Sequence, residues 1–315
     1  MEASPAALQH RSAPRAGLRL PGVGVGLGRG LVVGYLSLMV LIPLAALVNE
    51  GFSLGLTNFW DQVTSPPALR SLQLTLICSL IVVAINAVFG TIIAWLLVRD
   101  EFPGKAAVNA IIDLPFALPT IVASLTLLAL YGNESPFGID IAFTRAAVVV
   151  ALLFVTLPFV VRAVQPLLIE MDREMEEAAA SLGASGITIF RRIIFPNLIP
   201  GLAAGVALAF ARALGEFGSV LIFAGGLPDT QVSSVFIRSQ VESGNDPGAA
   251  AVSIMLLLAS LLCLLAISLF QRWGTKHERS AGAGAGGFST LPLAEGGGTT
   301  GLGETGDDER GDDDR

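Results

Sequence analysis

Six long apolar runs organise the chain, at about 31–48, 71–98, 107–131, 146–165, 200–226 and 249–271. Most of them reach the roughly 20 residues that a helix needs to cross the hydrocarbon of a bilayer. Short polar segments separate them, so the expected class is all-α, a polytopic membrane protein with six transmembrane helices. The run 31–48 is short for a span, which raises a cleavable signal peptide as an alternative; the long stretch before it and the lack of a small-x-small site argue against one. An Arg-rich transit peptide is the other alternative. In the third run Pro115 and Pro119 remove two backbone donors one turn apart, predicting a helix that is bent or locally opened.

The one polar interruption with internal structure runs from Glu176 to Pro200, EEAAASLGASGITIFRRIIFPNLIP. It reads as helix, break, helix. Asp172 to Leu182 holds good helix formers, and Gly183 supplies the permissive backbone at which that helix ends. Ile187 to Phe195 predicts a second short helix, stopped by Pro196. Ile189, Ile193 and Ile194 share one face of it, while Arg191 and Arg192 point elsewhere. A short amphipathic helix held between two spans is a handle for a partner.

Charge orients the chain. Lys and Arg collect on the cytoplasmic side of membrane proteins. With the N-terminus inside, the inside segments hold Arg11, Arg15, Arg19, Arg29, Arg99, Lys105, Arg162, Arg173, Arg191, Arg192, Arg272, Lys276, Arg279, Arg310 and Arg315. The outside segments hold only Arg70, Arg145 and Arg238, and Arg212 is intramembrane. Both termini and the Glu176–Pro200 loop are thus expected to be cytoplasmic. Outside loops at about 49–70, 132–145 and 227–248 contain Trp60, Pro66-Pro67, Pro136 and the Gly225-Gly226 turn, and are too small for domains of their own.

Composition agrees with this reading, at 53% hydrophobic and 14% charged residues and a mean hydropathy of +0.70, against about 25% charge in soluble domains. The net charge of −7 is mostly local, since residues 295–315 contribute −6. Three parts are expected: a disordered cytoplasmic segment 1–30, a transmembrane domain 31–272 with its loop at about 166–199, and a flexible acidic tail 273–315.

Few side chains invite chemistry. Cys78 and Cys263 lie inside apolar runs and read as packing residues; His10 and His277 lie in polar flanks, leaving no metal site or catalytic triad. Gly104-Lys105 lacks the Ser or Thr and the upstream glycine of a phosphate-binding loop, so no nucleotide is expected to bind this chain. Polar groups at membrane depth are costly and therefore informative. Arg212 and Glu216 stand four apart in FARALGEFGSV, on one helical face. One reading makes them a self-neutralising pair that joins helices; the other places Arg212 on an anion path, held by Glu216. The pair is preferred, because Glu216 would repel an unshielded anion. Asp113 is expected to cap a helix at the interface, and Asn86 and Thr91 to hydrogen-bond between helices.

The loop carries a family resemblance. Glu177, Ala178, Ala179, Gly183, Ile193 and Pro196 follow the pattern E-A-A-x3-G-x9-I-x-L-P of the loop by which permease subunits of bacterial ABC importers meet their ATPase, with Phe195 in place of the usual Leu. With DLPFALPT, LPFVVRAVQPLL and FARALGEFGSV, residues 31–272 resemble the T-type permease of the sulfate/thiosulfate importer. The resemblance implies a type I importer fold of molybdate/sulfate type and no enzymatic activity on this chain. It also implies two ATPase subunits that bind the ATP, a W-type second permease and an extracytoplasmic sulfate-binding protein, with lipid and no nucleic acid as the other partner. A molybdate or tungstate permease shares two of these motifs; DLPFALPT and TQVSSVFIRSQVES favour sulfate. An ion-coupled secondary anion transporter, or a membrane scaffold without transport, would leave the loop unexplained.

Overall fold

The computed structural model describes residues 23–283, with side chains from 28 to 269. The chain opens on α1 (Val23–Leu36), passes through a π turn (Ser37–Leu41) and continues as α2 (Ile42–Gly51). Helix therefore begins before the expected boundary at residue 31, and Gly28–Gly51 is long enough to span after all. The extra length comes from Gly28, Arg29 and Gly30 at one end and Asn49, Glu50 and Gly51 at the other, glycine and polar residues that an apolar run leaves out. The reading of residues 1–22 as disordered lies outside the described residues.

An amphipathic α3 (Gly55–Thr64) follows, seating Phe59 and Val63 against Ala251 and Ile254. The long α4 (Pro66–Arg99) comes next. The third apolar run divides into α5 (Lys105–Ala117) and α6 (Thr120–Tyr131). Pro119 disfavours helical backbone at the residue before it, and Leu118 is extended, with φ −85° and ψ 131°. The run is opened at Pro119, as its prolines predict, and neither half reaches span length alone. Among the described residues five helices are long and apolar enough to cross a membrane, and the pair α5–α6 stands where a sixth was expected.

The remaining elements are α7 (Arg145–Glu170), α8 (Arg173–Ser181), α9 (Gly186–Ile189), a second π turn (Phe190–Ile194), α10 (Phe195–Leu214), α11 (Gly218–Phe223), α12 (Ser233–Glu242) and α13 (Asp246–Ala283). The loops expected at 49–70 and 227–248 thus contain helices, because α3 and α12 each have an apolar face to bury. The last helix runs past residue 272 to Ala283; the acidic tail beyond it lies outside the described residues.

The core is the contact of α4, α7 and α10. Lipid tails are as apolar as leucine, so helices in a bilayer associate through close packing and polar contacts. Small residues supply the closeness. A side chain at Gly90 of α4 would meet Val160 of α7 at 2.9 Å, and one at Gly205 of α10 would meet the Val160 Cα at 3.0 Å and the Phe159 carbonyl at 3.1 Å. Asn86 of α4 donates to the Thr156 hydroxyl of α7 at 2.8 Å, the interhelical bond expected of it. Thr91 instead donates to the Ala87 carbonyl of its own helix at 2.6 Å. A hydroxyl that short reaches the preceding turn more easily than a neighbouring helix. The Gly28–Gly51 helix contributes almost nothing to this core, and its Leu31, Val33 and Ile42 are exposed.

Gly205→Val is expected to push α10 off the α7 backbone and to cost about 1–3 kcal/mol of stability. Gly34→Val, at a position where an added Cβ meets nothing within 4 Å, is expected to be silent. The folded fraction surviving a temperature ramp in detergent compares the two.

Candidate functional site

The loop between α7 and α10 builds its first half by capping. Asp172 Oδ1 accepts the Glu174 N–H at 2.9 Å, closing the N-terminus of α8. At the other end Gly183 takes φ +83°, so its N–H reaches the Ala180 carbonyl at 2.9 Å and the Ala184 N–H reaches Ala179 at 3.0 Å. That crossed pair satisfies two orphan carbonyls and turns the chain back. The helix and break expected of Glu177, Ala178, Ala179 and Gly183 are both present.

The second half corrects the expectation. Pro196 does not stop a helix. Gly186 to Leu214 is one continuous helix of 29 residues, so the loop segment and the fifth span are one body. The wide turn Phe190–Ile194 already breaks the i→i−4 series, and Pro196, which has no N–H to offer, follows directly as the second residue of α10. Ser185 starts this helix by accepting the Thr188 N–H at 3.4 Å. Ile194 is buried, Ile189 and Ile193 are half-buried, and Arg191 and Arg192 are exposed, as the helical face requires.

Residues that sequence reasoning passed over hold the loop in place. Arg99, at the end of α4, pairs with Glu176 of α8 and is itself mostly buried. The Arg99 guanidinium lies 5.5 Å over the Trp95 ring, and Trp95 meets Phe190 edge-on at 5.9 Å. A cleft of about 320 Å³ opens beside this anchor, lined by Trp95, Glu177, Ala180, Gly186 and Phe190 among others. Glu177, Leu182 and Ile187 are exposed around it. Arg99 had counted only as a topology signal; its position at the end of an apolar run, opposite a doubled glutamate, was the available clue.

Asp113 is likewise not a helix cap. Its carboxylate receives Arg162 of α7 in a two-pronged pair, Nε to Oδ1 at 2.8 Å and Nη2 to Oδ2 at 2.5 Å. Arg162 Nη1 also donates to Gln165 at 2.6 Å. The fork of a guanidinium matches a carboxylate edge, and the pair fastens α5 to α7.

Arg212 and Glu216 do come together, with 2.5 Å between Arg212 Nη1 and Glu216 Oε2. They do not share a helix. The fifth run is broken at Gly215–Phe217, between α10 and α11, and Glu216 sits in the break, fully buried. Its Oε1 accepts the Ser219 N–H of α11 at 2.9 Å, and its carbonyl accepts the Ser234 hydroxyl at 2.6 Å. The contact of Oε2 with Arg212 is an ionic one without an aligned hydrogen bond. Arg212 remains 35% exposed, whereas Glu216 is turned inward.

The loop segment thus continues into a helix long and apolar enough to cross a membrane. Residues 86–277 match the family of binding-protein-dependent transport system inner membrane components. The chain belongs to that family. The sulfate transport system permease protein CysT of Synechococcus elongatus is 47% identical over 78% of this chain and 91% of its own length. Its namesake from Synechocystis is 45% identical over 77% and 88%, and that of Salmonella typhimurium 41% identical over 82% and 95%. In fold, this inner membrane component is similar to a chain of a bacterial alginate ABC transporter crystallised with its alginate pentasaccharide-bound periplasmic protein, with TM-score 0.69, 16% identity, and 80% and 95% of the two chains covered. It is also similar to the MetNI methionine ABC transporter in inward-facing form, with TM-score 0.52, 21% identity, and coverage of 65% and 95%. As a family member it is a transport component and not an enzyme.

In this component Arg212→Gln is expected to strand the buried Glu216 charge and lower stability by about 2.5–3.5 kcal/mol. Adding Glu216→Gln should restore most of it, because an amide oxygen can still accept from Ser219. Thermal unfolding of the single and double variants in one detergent checks the order.

Proposed function

We propose that the chain is the T-type permease of an ATP-driven sulfate/thiosulfate importer of the cytoplasmic membrane. It works with two ATPase subunits that bind the ATP, a W-type permease and an extracytoplasmic sulfate-binding protein. The observation that carries this reading is the continuous helix from Gly186 to Leu214. Closure of the ATPases would displace the loop, and a helix unbroken through Pro196 would pass that displacement into the bundle. The Arg99–Glu176 anchor would carry the same motion to α4. The relatives named for sulfate supply the substrate. Both termini and the loop are assigned to the cytoplasm from the placement of Lys and Arg.

Two partner-facing features follow. The cleft beside Glu177, with exposed Leu182 and Ile187, is the ATPase dock. The pair of Arg212 and Glu216 ties the end of α10 to the start of α11, because Glu216 accepts from Ser219 and sets its negative charge against the guanidinium that a dianion would need. A molybdate or tungstate permease of the same architecture is the competing substrate assignment.

Vesicles carrying the full transporter are expected to take up radiolabelled sulfate only with ATP and the binding protein, with thiosulfate competing well and molybdate poorly. Uptake that persists without ATPase subunits, or follows an ion gradient, would sink the importer reading; equal competition by molybdate would shift the substrate. The double variant Arg212→Gln/Glu216→Gln should import at near wild-type rate once assembled. Assembled and ATP-hydrolysing but transport-dead, it would instead place Arg212 on the anion path.

At Gly183 an added Cβ meets nothing within 4 Å, but Gly183→Val forces a β-branched residue to φ +83° at a cost of about 1–2 kcal/mol. Membrane abundance is expected to hold while co-purifying ATPase falls. Normal recovery of the ATPase with this variant would remove the docking assignment.

A further inference from the structure

Cations on the outer side of a membrane protein run against the usual charge bias and call for a reason. Only Arg70, Arg145 and Arg238 stand there on the topology assigned above. Arg238 is accounted for, since it donates to Glu242 at 2.6 Å and lies 5.4 Å over the Phe217 ring. Arg70 and Arg145, from different helices, line one cavity of about 340 Å³. Arg70 makes no ion pair and no side-chain hydrogen bond among the described residues, and Gln73 adds a second polar group one turn further along α4. Arg145 donates through Nε to the Asp229 carbonyl at 3.2 Å and stands 3.6 Å from its carboxylate.

The cavity has direction. Behind the arginines its wall is Leu74, Ile77, Cys78 and Ile81 of α4, facing Val149 of α7. From Arg70 to Ile81 the wall descends about 16 Å along the helix. Its charged mouth lies at the end of α4 remote from the coupling loop, because Arg70 and Arg99 stand about 43 Å apart on that helix. Two guanidiniums against one carboxylate leave the mouth net positive, and Arg145 is held to Asp229 loosely enough to exchange it. Guanidinium forks with an amide beside them match the edge of a tetrahedral oxyanion.

We propose that this cavity is a receiving site for a sulfate-type oxyanion on the extracytoplasmic face, with Arg70, Gln73 and Arg145 as its ligands. The assignment rests on the anion-import reading above. A lipid headgroup phosphate has the same chemistry and could reach the same depth, so the test must separate the two sources.

The assembled transporter, without binding protein, is placed in nanodiscs of zwitterionic lipid, and retention of radiolabelled sulfate is measured at fixed ionic strength. Wild type is expected to retain sulfate that excess unlabelled sulfate displaces and chloride does not. Arg70→Gln should weaken retention about tenfold, the worth of one charge-assisted hydrogen bond. Arg70→Lys should recover part of it and Arg238→Gln should behave as wild type. Arg70 is chosen because no partner in the chain is left unpaired by its loss. No displaceable retention by wild type, or equal retention by Arg70→Gln, overturns the site. If adding anionic lipid lowers wild type to the level of Arg70→Gln, the oxyanion site stands and anionic lipid headgroups are the ligand that outcompetes sulfate there. Parallel vesicle uptake keeps the two readings apart. ATP-dependent import with no retention ends this inference alone, whereas retention without import ends the importer reading and leaves the site.

Discussion

Hydrocarbon offers no hydrogen bonds, so each backbone group at membrane depth must find its partner within the protein. The structure meets that constraint most sharply at Gly215–Phe217, where α10 ends and α11 has not begun. Glu216 closes the gap. Its carboxylate takes an N–H from the first turn of α11, its carbonyl takes the Ser234 hydroxyl, and its charge is balanced by Arg212. Gly218, one residue on, lies so near Thr120 of α6 that a side chain there would meet the Thr120 hydroxyl at 2.2 Å. Ser124 of α6 bonds to both Ser219 and Phe223 of α11. The helix that follows the break in the fifth run is thus packed and hydrogen-bonded against the helix that follows the break in the third.

That arrangement leaves α10 as the rigid element. Its N-terminal extension carries the loop, its middle packs on α7 through Gly201 and Gly205, and its far end is fixed by the Arg212–Glu216 contact. The glycines of α10 let it approach α7 closely, so displacing one helix must displace or repack the other. The Arg99–Glu176 and Arg162–Asp113 pairs add fixed points on α4 and α5. Both join elements far apart in sequence, and both lie at the end of the bundle where the loop is.

How much of this was legible is clearest at the prolines. Pro119 was read as a disruption of the third run and is one, because it acts on its own neighbour, Leu118. Pro196 was read as a stop and is not, because the preceding turn had widened into a π turn that no local rule announced. Gly183 was readable for the same reason as Pro119: a left-handed residue is demanded by the helix it ends. Asp113 and Arg162 were seen separately and assigned separate duties, since nothing in the spacing of two residues 49 positions apart tells that they meet.

By itself the sequence determined the number and class of apolar runs, the position of the loop, the Gly183 turn and the local weak point at Pro119, but not the break at Gly215–Phe217. Each depends on interactions within about one helical turn, or on hydrophobicity summed over a window. Only the tertiary structure decided that Pro196 is passed through, that Arg99 anchors the loop, that Asp113 meets Arg162, and that Arg70 and Arg145 share a cavity. Those outcomes depend on which helix faces which, and that is settled by shape: where glycine lets two backbones close, distant polar groups are carried into reach of one another.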